Sequence, residues 1–128
     1  MVTSSPVATA VEPWVAARNG TVDVVYYGTS VAGNSNTETG AAWNVYLAQS
    51  TNAGVTFTQA RVTPSPNHFG PICTGGISCK AGTRNLLDLF ENAIDPQNGQ
   101  AGIIYTDDTL TTDSSGNPLP QAVLAQQN

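Results

Sequence analysis

The sequence predicts an all-β protein made of repeated four-stranded antiparallel meanders, and three observations carry that expectation. β-rich runs alternate with turn signals, led by Asn19-Gly20 between Trp14–Arg18 and Thr21–Tyr27, where Asn-Gly supplies the positive φ angles of a tight hairpin turn. Only 10% of the residues are charged while Gly, Pro, Ser, Thr and Asn are abundant, which suits short strands and turns better than salt-bridged helices. The strand plan also occurs twice. Gly20–Tyr26 matches Gly99–Tyr105, and Leu47-Ala48-Gln49 matches Leu124-Ala125-Gln126, a repeat of about 78 residues.

Taken in order, residues 1–12 are expected to form the outer strand of a preceding or closing sheet, with Pro6–Val11 as its β-forming part. Residues 13–64 form the first unit. Its opening hairpin alternates Val22, Val24 and Tyr26 against Asp23, Val25 and Tyr27. A second hairpin runs from Ala42–Gln49 through Ser50–Gly54 into Val55–Val62. Residues 65–87 form a long loop. Residues 88–128 restart the plan with Leu89–Ile94, the turn Asp95–Gly99, a strand to Thr106, and Gln121–Gln126, and the unit stops after its third strand.

A four-stranded meander repeated about an axis is a β-propeller, in which each sheet covers its neighbour. The period exceeds the ~40–50 residues of a common blade because the connections at 28–41, 64–87 and 107–120 are long. About two blades cannot close a ring of roughly four to eight. The expected partners are therefore identical chains or further blades that complete the ring, for example three chains making six blades.

At 128 residues with 40% hydrophobic content, one core can form. The formal charge of −5 leaves no basic surface for a phosphate backbone, so nucleic acid is not an expected partner. No apolar run approaches the roughly 20 residues needed for a membrane span. The start, Met1-Val2-Thr3-Ser4-Ser5-Pro6, lacks the basic and apolar regions of a secretory signal, so any export signal is expected to have been removed or to belong to a longer precursor. Cys73 and Cys79 flank a small turn-forming stretch and can reach each other, and a disulfide there favours an extracellular or cell-surface location. The rival reading, metal binding, has two thiols and a lone His68, short of a zinc set.

Ser50-Thr51-Asn52-Ala53-Gly54-Val55-Thr56-Phe57 resembles the Asp box, Ser-x-Asp-x-Gly-x-Thr-Trp, of bacterial sialidase-like propellers (BNR repeats), with Asn52 for the Asp and Phe57 for the Trp. The resemblance implies a structural turn: the third residue bonds back onto turn backbone, Gly54 takes a left-handed conformation, and the final aromatic packs between sheets. Pro13–Ala17, Gly70-Pro71-Ile72-Cys73 with Cys79, and Arg84–Phe90 are similar to stretches of the same family. Sialidases clamp a carboxylate with three arginines and use a Tyr nucleophile, a Glu and an acid/base Asp. Arg18, Arg61 and Arg84 do not map onto that triad by motif, Tyr26 and Tyr105 read as core, and no catalytic residue is carried over.

Strand parity sorts the connections. The three short turns fall at one end of the sheets and the three long connections at the other, where a binding surface for glycan or protein is expected. The expected ligand-binding residues are His68, Arg84, Asp88, Asp107 and Asp108. Arg84 can clamp a carboxylate, or it can pair with Asp88 and fasten the loop. Asp107-Asp108 followed by Thr109 offers oxygen ligands of the kind Ca²⁺ takes, or marks a solvated strand end, and no other cofactor is expected. Trp14 and Trp43 can stack on sugars or fill the space between sheets. The alternatives to a binding module are a sialidase-type hydrolase whose site is completed elsewhere and a purely structural assembly unit.

Overall fold

The computed structural model describes residues 1–80, 83–86 and 89–128 and shows two antiparallel sheets that do not close into a barrel. The first sheet comprises β1 (Thr9–Arg18), β2 (Thr21–Thr29), β3 (Ala42–Ser50) and β4 (Thr58–Arg61) in that spatial order, and β5 (His68–Phe69) extends β3 beyond β4. The second comprises β6 (Glu91–Ile94), β7 (Ala101–Asp107) and β8 (Gln121–Gln126). A single 3-10 turn, Gly76–Ser78, is the only helical element among the described residues. The antiparallel all-β expectation is met.

The turn between β1 and β2 adopts the expected geometry, with φ of 49° at Asn19 and 83° at Gly20. β2 carries apolar residues at both parities and is buried on both faces from Asp23 to Thr29, as a central strand must be. β1 lies at the edge, where Pro13 interrupts no ladder. A bulge between Val11 and Trp14, with Glu12 at φ 52°, lets the strand continue toward the chain start.

That continuation corrects one expectation. Thr9, Ala10 and Val11 pair with Thr29, Gly28 and Tyr27 of β2, so they lengthen the first sheet instead of supplying an outer strand to another. Residues before them cross the far face of the first sheet, where Val2 and Val7 pack against Val24, Tyr26 and Tyr46. The Ser4 amide donates to Gln59 Oε1 at 2.9 Å, and the Ala8 amide to the Thr29 carbonyl at 2.8 Å. Gly28 makes this close approach feasible: a Cβ there would stand 2.9 Å from the Tyr46 ring and 3.1 Å from Val7.

The repeat seen in the sequence is kept in the hydrogen-bond register. In the first sheet Val25 pairs with Trp14 and Leu47; in the second, Ile104 pairs with Glu91 and Leu124. The sheets stack with the same polarity. The Val25, Tyr27, Val45 and Leu47 face of the first packs on the Ala101, Ile103 and Tyr105 face of the second, with Trp43, Ile72, Leu86 and Phe90 completing the core. Tyr27 stacks on Phe90 with ring centroids 4.5 Å apart, and its hydroxyl accepts the Thr106 amide at 3.1 Å.

Candidate long-connection platform

Three long connections leave the same end of the sheets: 30–41, 62–90 and 108–120. The second carries the Cys73–Cys79 disulfide, with Cα atoms 5.9 Å apart, enclosing the 3-10 turn. Side chains tie the three together. Asn36 joins the first to the second by donating to Thr74 Oγ1 at 3.3 Å and accepting the Thr74 amide at 2.9 Å. Asn67 donates to the Thr106 carbonyl at 2.9 Å, and Thr109 Oγ1 reaches the Pro66 carbonyl at 3.4 Å.

His68 and Asp108 form the centre of this network. His68 Nδ1 lies 2.8 Å from Asp108 Oδ2, its Nε2 lies 3.2 Å from the Pro71 carbonyl, and Asn85 Nδ2 donates to the same Asp108 oxygen at 2.8 Å. Both members are buried. Burial raises the Asp108 pKa, yet the hydrogen bonds from His68 and Asn85 outweigh it and hold the carboxyl below its ordinary value. Asp107 Oδ1 accepts from both the amide and the hydroxyl of Thr109 at 2.8 Å.

These contacts place the sequence-derived residues. His68, Asp107 and Asp108 are brought into one region; His68 and Asp108 bond the second connection to the third, and Asp107 Oδ1 bonds locally to Thr109. His68 is buried, not exposed as a lone loop histidine would be. Arg84 is exposed on the second connection, and Asp88 lies outside the described residues. Among the described residues no three His, Cys, Asp or Glu side chains gather as a metal set, and the Asp107 and Asp108 oxygens engaged here serve the protein. Trp43 is fully buried with its Nε1 donating to the Gly70 carbonyl at 2.8 Å, which makes it core. Asn67 and Asn85, which anchor the network, carried no sequence signal beyond membership of a polar loop.

Among the mostly polar exposed residues of the platform stand three large apolar side chains. Ile77 is 94% exposed on the disulfide-bounded turn, Phe69 is 63% exposed on β5 of the same connection, and Leu110 is 62% exposed on the third. A cleft of about 540 Å³ lies beside the platform, lined by Trp14, Leu89, Glu91, Ile104, Gln121 and Ala122 among others; it is continuous with the open face of the second sheet.

The opposite end holds the box-like turn. Ser50 Oγ accepts the Gly54 amide at 2.9 Å, Asn52 Oδ1 accepts the Thr56 amide at 2.9 Å, and Asn52 Nδ2 donates to Thr56 Oγ1 at 2.8 Å. Asn52 thus bonds back to turn backbone as its position implied, and Gly54 has φ 86°. Phe57 packs with Val24 and Tyr26 on the far face of the first sheet, not between the two sheets.

The three arginines stand on three different elements. Arg18 closes β1 at the short-turn end, Arg61 reaches the Pro64 carbonyl, and Arg84 lies in a long connection. Burial pushes the Tyr26 and Tyr27 hydroxyls up to about 12 and raises Tyr105 as well. No family model, curated protein or solved structure matches this chain.

Proposed function

We propose that this chain is a non-catalytic β-propeller-type module, extracellular or displayed at a cell surface, that holds a protein ligand on the platform built by its long connections. The observation that carries the reading is the combination of cross-bonded loops with exposed Phe69, Ile77 and Leu110. Loops already fixed by the His68–Asp108–Asn85 network lose little entropy on binding, and apolar side chains on a rigid base suit a protein surface better than a sugar. The propeller part rests on two register-equivalent sheets stacked with one polarity, the relation between successive blades. The Cys73–Cys79 bridge fits an oxidising compartment, and no helix among the described residues is long and apolar enough to cross a membrane. A sialidase-type site draws no support from arginines that stand on three different elements with no shared partner among the hydrogen bonds of the described residues.

The test is a binding screen against a panel of extracellular proteins and a glycan array, with a sialoside hydrolysis assay alongside. A protein ligand is expected whose affinity drops at least about tenfold in Ile77→Asp or Phe69→Ser, with no change in Gln97→Ala at the opposite end. Turnover of the sialoside, or binding that ignores both platform substitutions, overturns the reading.

A further inference from the structure

The second sheet buries one face and bares the other, and the bare face is the one whose counterpart in the first sheet is fully used. Val25 and Leu47 pair across β2 and β3 and are 0% and 6% exposed. Their repeat equivalents, Ile104 and Leu124, pair in the same register across β7 and β8 and are 50% and 63% exposed. Leu89 and Ala122 widen this apolar surface, which forms one wall of the cleft beside Trp14. Exposed Glu91, opposite Ile104, borders this apolar patch, and contiguous exposed apolar surface on a sheet marks an interaction site more often than a solvent-adapted face.

The stack also dictates what fits there. Val25 and Leu47 are covered by the Ala101, Ile103 and Tyr105 face, whose register equivalents in the first sheet are Val22, Val24 and Tyr26. The first of these faces is consumed inside the chain. The second lies at the opposite end of the stack, where Val2, Val7 and Phe57 pack over Val24, Tyr26, Tyr46 and Ala48, each 9% exposed or less, and the β1 edge stays bare. These residues leave Val15 59% exposed and an apolar groove of about 250 Å³ lined by Val2, Ala10, Pro13, Val24 and Tyr26. Val15 pairs with Val24 and so points to that same side.

We infer that a second copy of this chain docks head to tail, the exposed Val15 edge and Val2-lined groove of its first sheet seated on the Ile104–Leu124 face of the first, extending between chains the stack of sheets found within one. This rests on the propeller part of the reading above and not on the platform ligand. A head-to-tail interface uses two different patches and closes only if the rotation per copy completes a circle. With two sheets per chain and rings of about four to eight sheets, closure takes roughly two to four copies.

Sedimentation velocity from micromolar to sub-millimolar concentration tests this, using wild type, Leu124→Asp and Val15→Asp. Both substitutions are at exposed positions, and near-ultraviolet circular dichroism verifies that the fold is retained. Wild type is expected to form a discrete assembly, and each variant alone is expected to be monomeric. Equal amounts of the two variants are expected to form one heterodimer and nothing larger, because one intact patch survives on each partner. Three results overturn the inference: a wild type that stays monomeric throughout, a Val15→Asp variant that still self-associates, or a mixture that shows no heterodimer. None of these touches the platform reading, whose ligand binding is scored separately with Ile77→Asp.

Discussion

The two sheets share a register and differ in their surroundings. Val25–Leu47 and Ile104–Leu124 are equivalent cross-strand pairs of branched apolar residues, yet one pair is sealed in the core and the other faces solvent. Local sequence therefore fixes which residues share a face, whereas stacking decides which faces are buried. The first sheet is covered on one side by the second sheet and on the other by residues 1–8; the second sheet has the first alone.

The largest test of this difference lies in the seam between the sheets. Phe90→Ala removes the ring stacked on Tyr27 and should cost about 3–5 kcal/mol in equilibrium denaturation, as buried aromatic truncations do. Leu47→Ala should cost about 2–5 kcal/mol. Leu124→Ala, the equivalent residue on the bare face, should change the stability of the monomer by no more than about 0.5 kcal/mol. Equal losses at Leu47 and Leu124 would break the comparison.

A smaller effect is expected at the top of the seam. Asp108→Ala strands His68 and Asn85 without their shared acceptor and should cost about 1–3 kcal/mol, read as a lowered unfolding midpoint. Its ionisation also sets a sign. The folded-state pKa of Asp108 is lowered, so its contribution is complete above the ordinary aspartate value of 3.8 and is lost as pH falls through the depressed folded value.

Asp23, inside the seam, works in the opposite direction. It is fully buried, Gln49 Nε2 donates to its Oδ1 at 2.9 Å, and its Oδ2 has no hydrogen-bond partner. Burial raises its pKa against the smaller lowering from Gln49. The folded state then holds the proton more tightly than the unfolded state. Asp23 lowers stability progressively as pH rises from 3.8 through the raised folded value. Asp23→Asn should remove that decline in a urea titration series across mildly acidic pH. If the slope persists, the carboxylate is not its source.

Much of the strand plan was legible because its signals are local. Asn19-Gly20 marked one hairpin, and the matched Gly20–Tyr26 and Gly99–Tyr105 runs located equivalent strands. β8 spans the expected residues, whereas β4 is confined to Thr58–Arg61, because Ser50 to Phe57 is consumed by the side-chain-bonded turn. The chain start was expected to join another sheet because β-propensity in Pro6–Val11 does not say which strand it joins; past the bulge at Glu12, Thr9–Val11 stay paired with β2. The site was read less well. Sequence identified the platform end from loop lengths, but gave no sign that His68 and Asp108 bond two connections together or that Asp107 bonds Thr109. Partners forty residues apart, such as His68 and Asp108, leave no spacing pattern to read.

The most direct measurement is a methyl-resolved NOE experiment on the Val15→Asp protein, where association between copies is blocked. The Ile103 methyls are expected to show contacts with the Val25, Val45 and Leu47 side of the first sheet, while Ile104 and Leu124 show contacts only within their own sheet. Cross-sheet contacts from Ile104 or Leu124, with none from Ile103, would mean that the second sheet is turned over and that the two units are not stacked as equivalents.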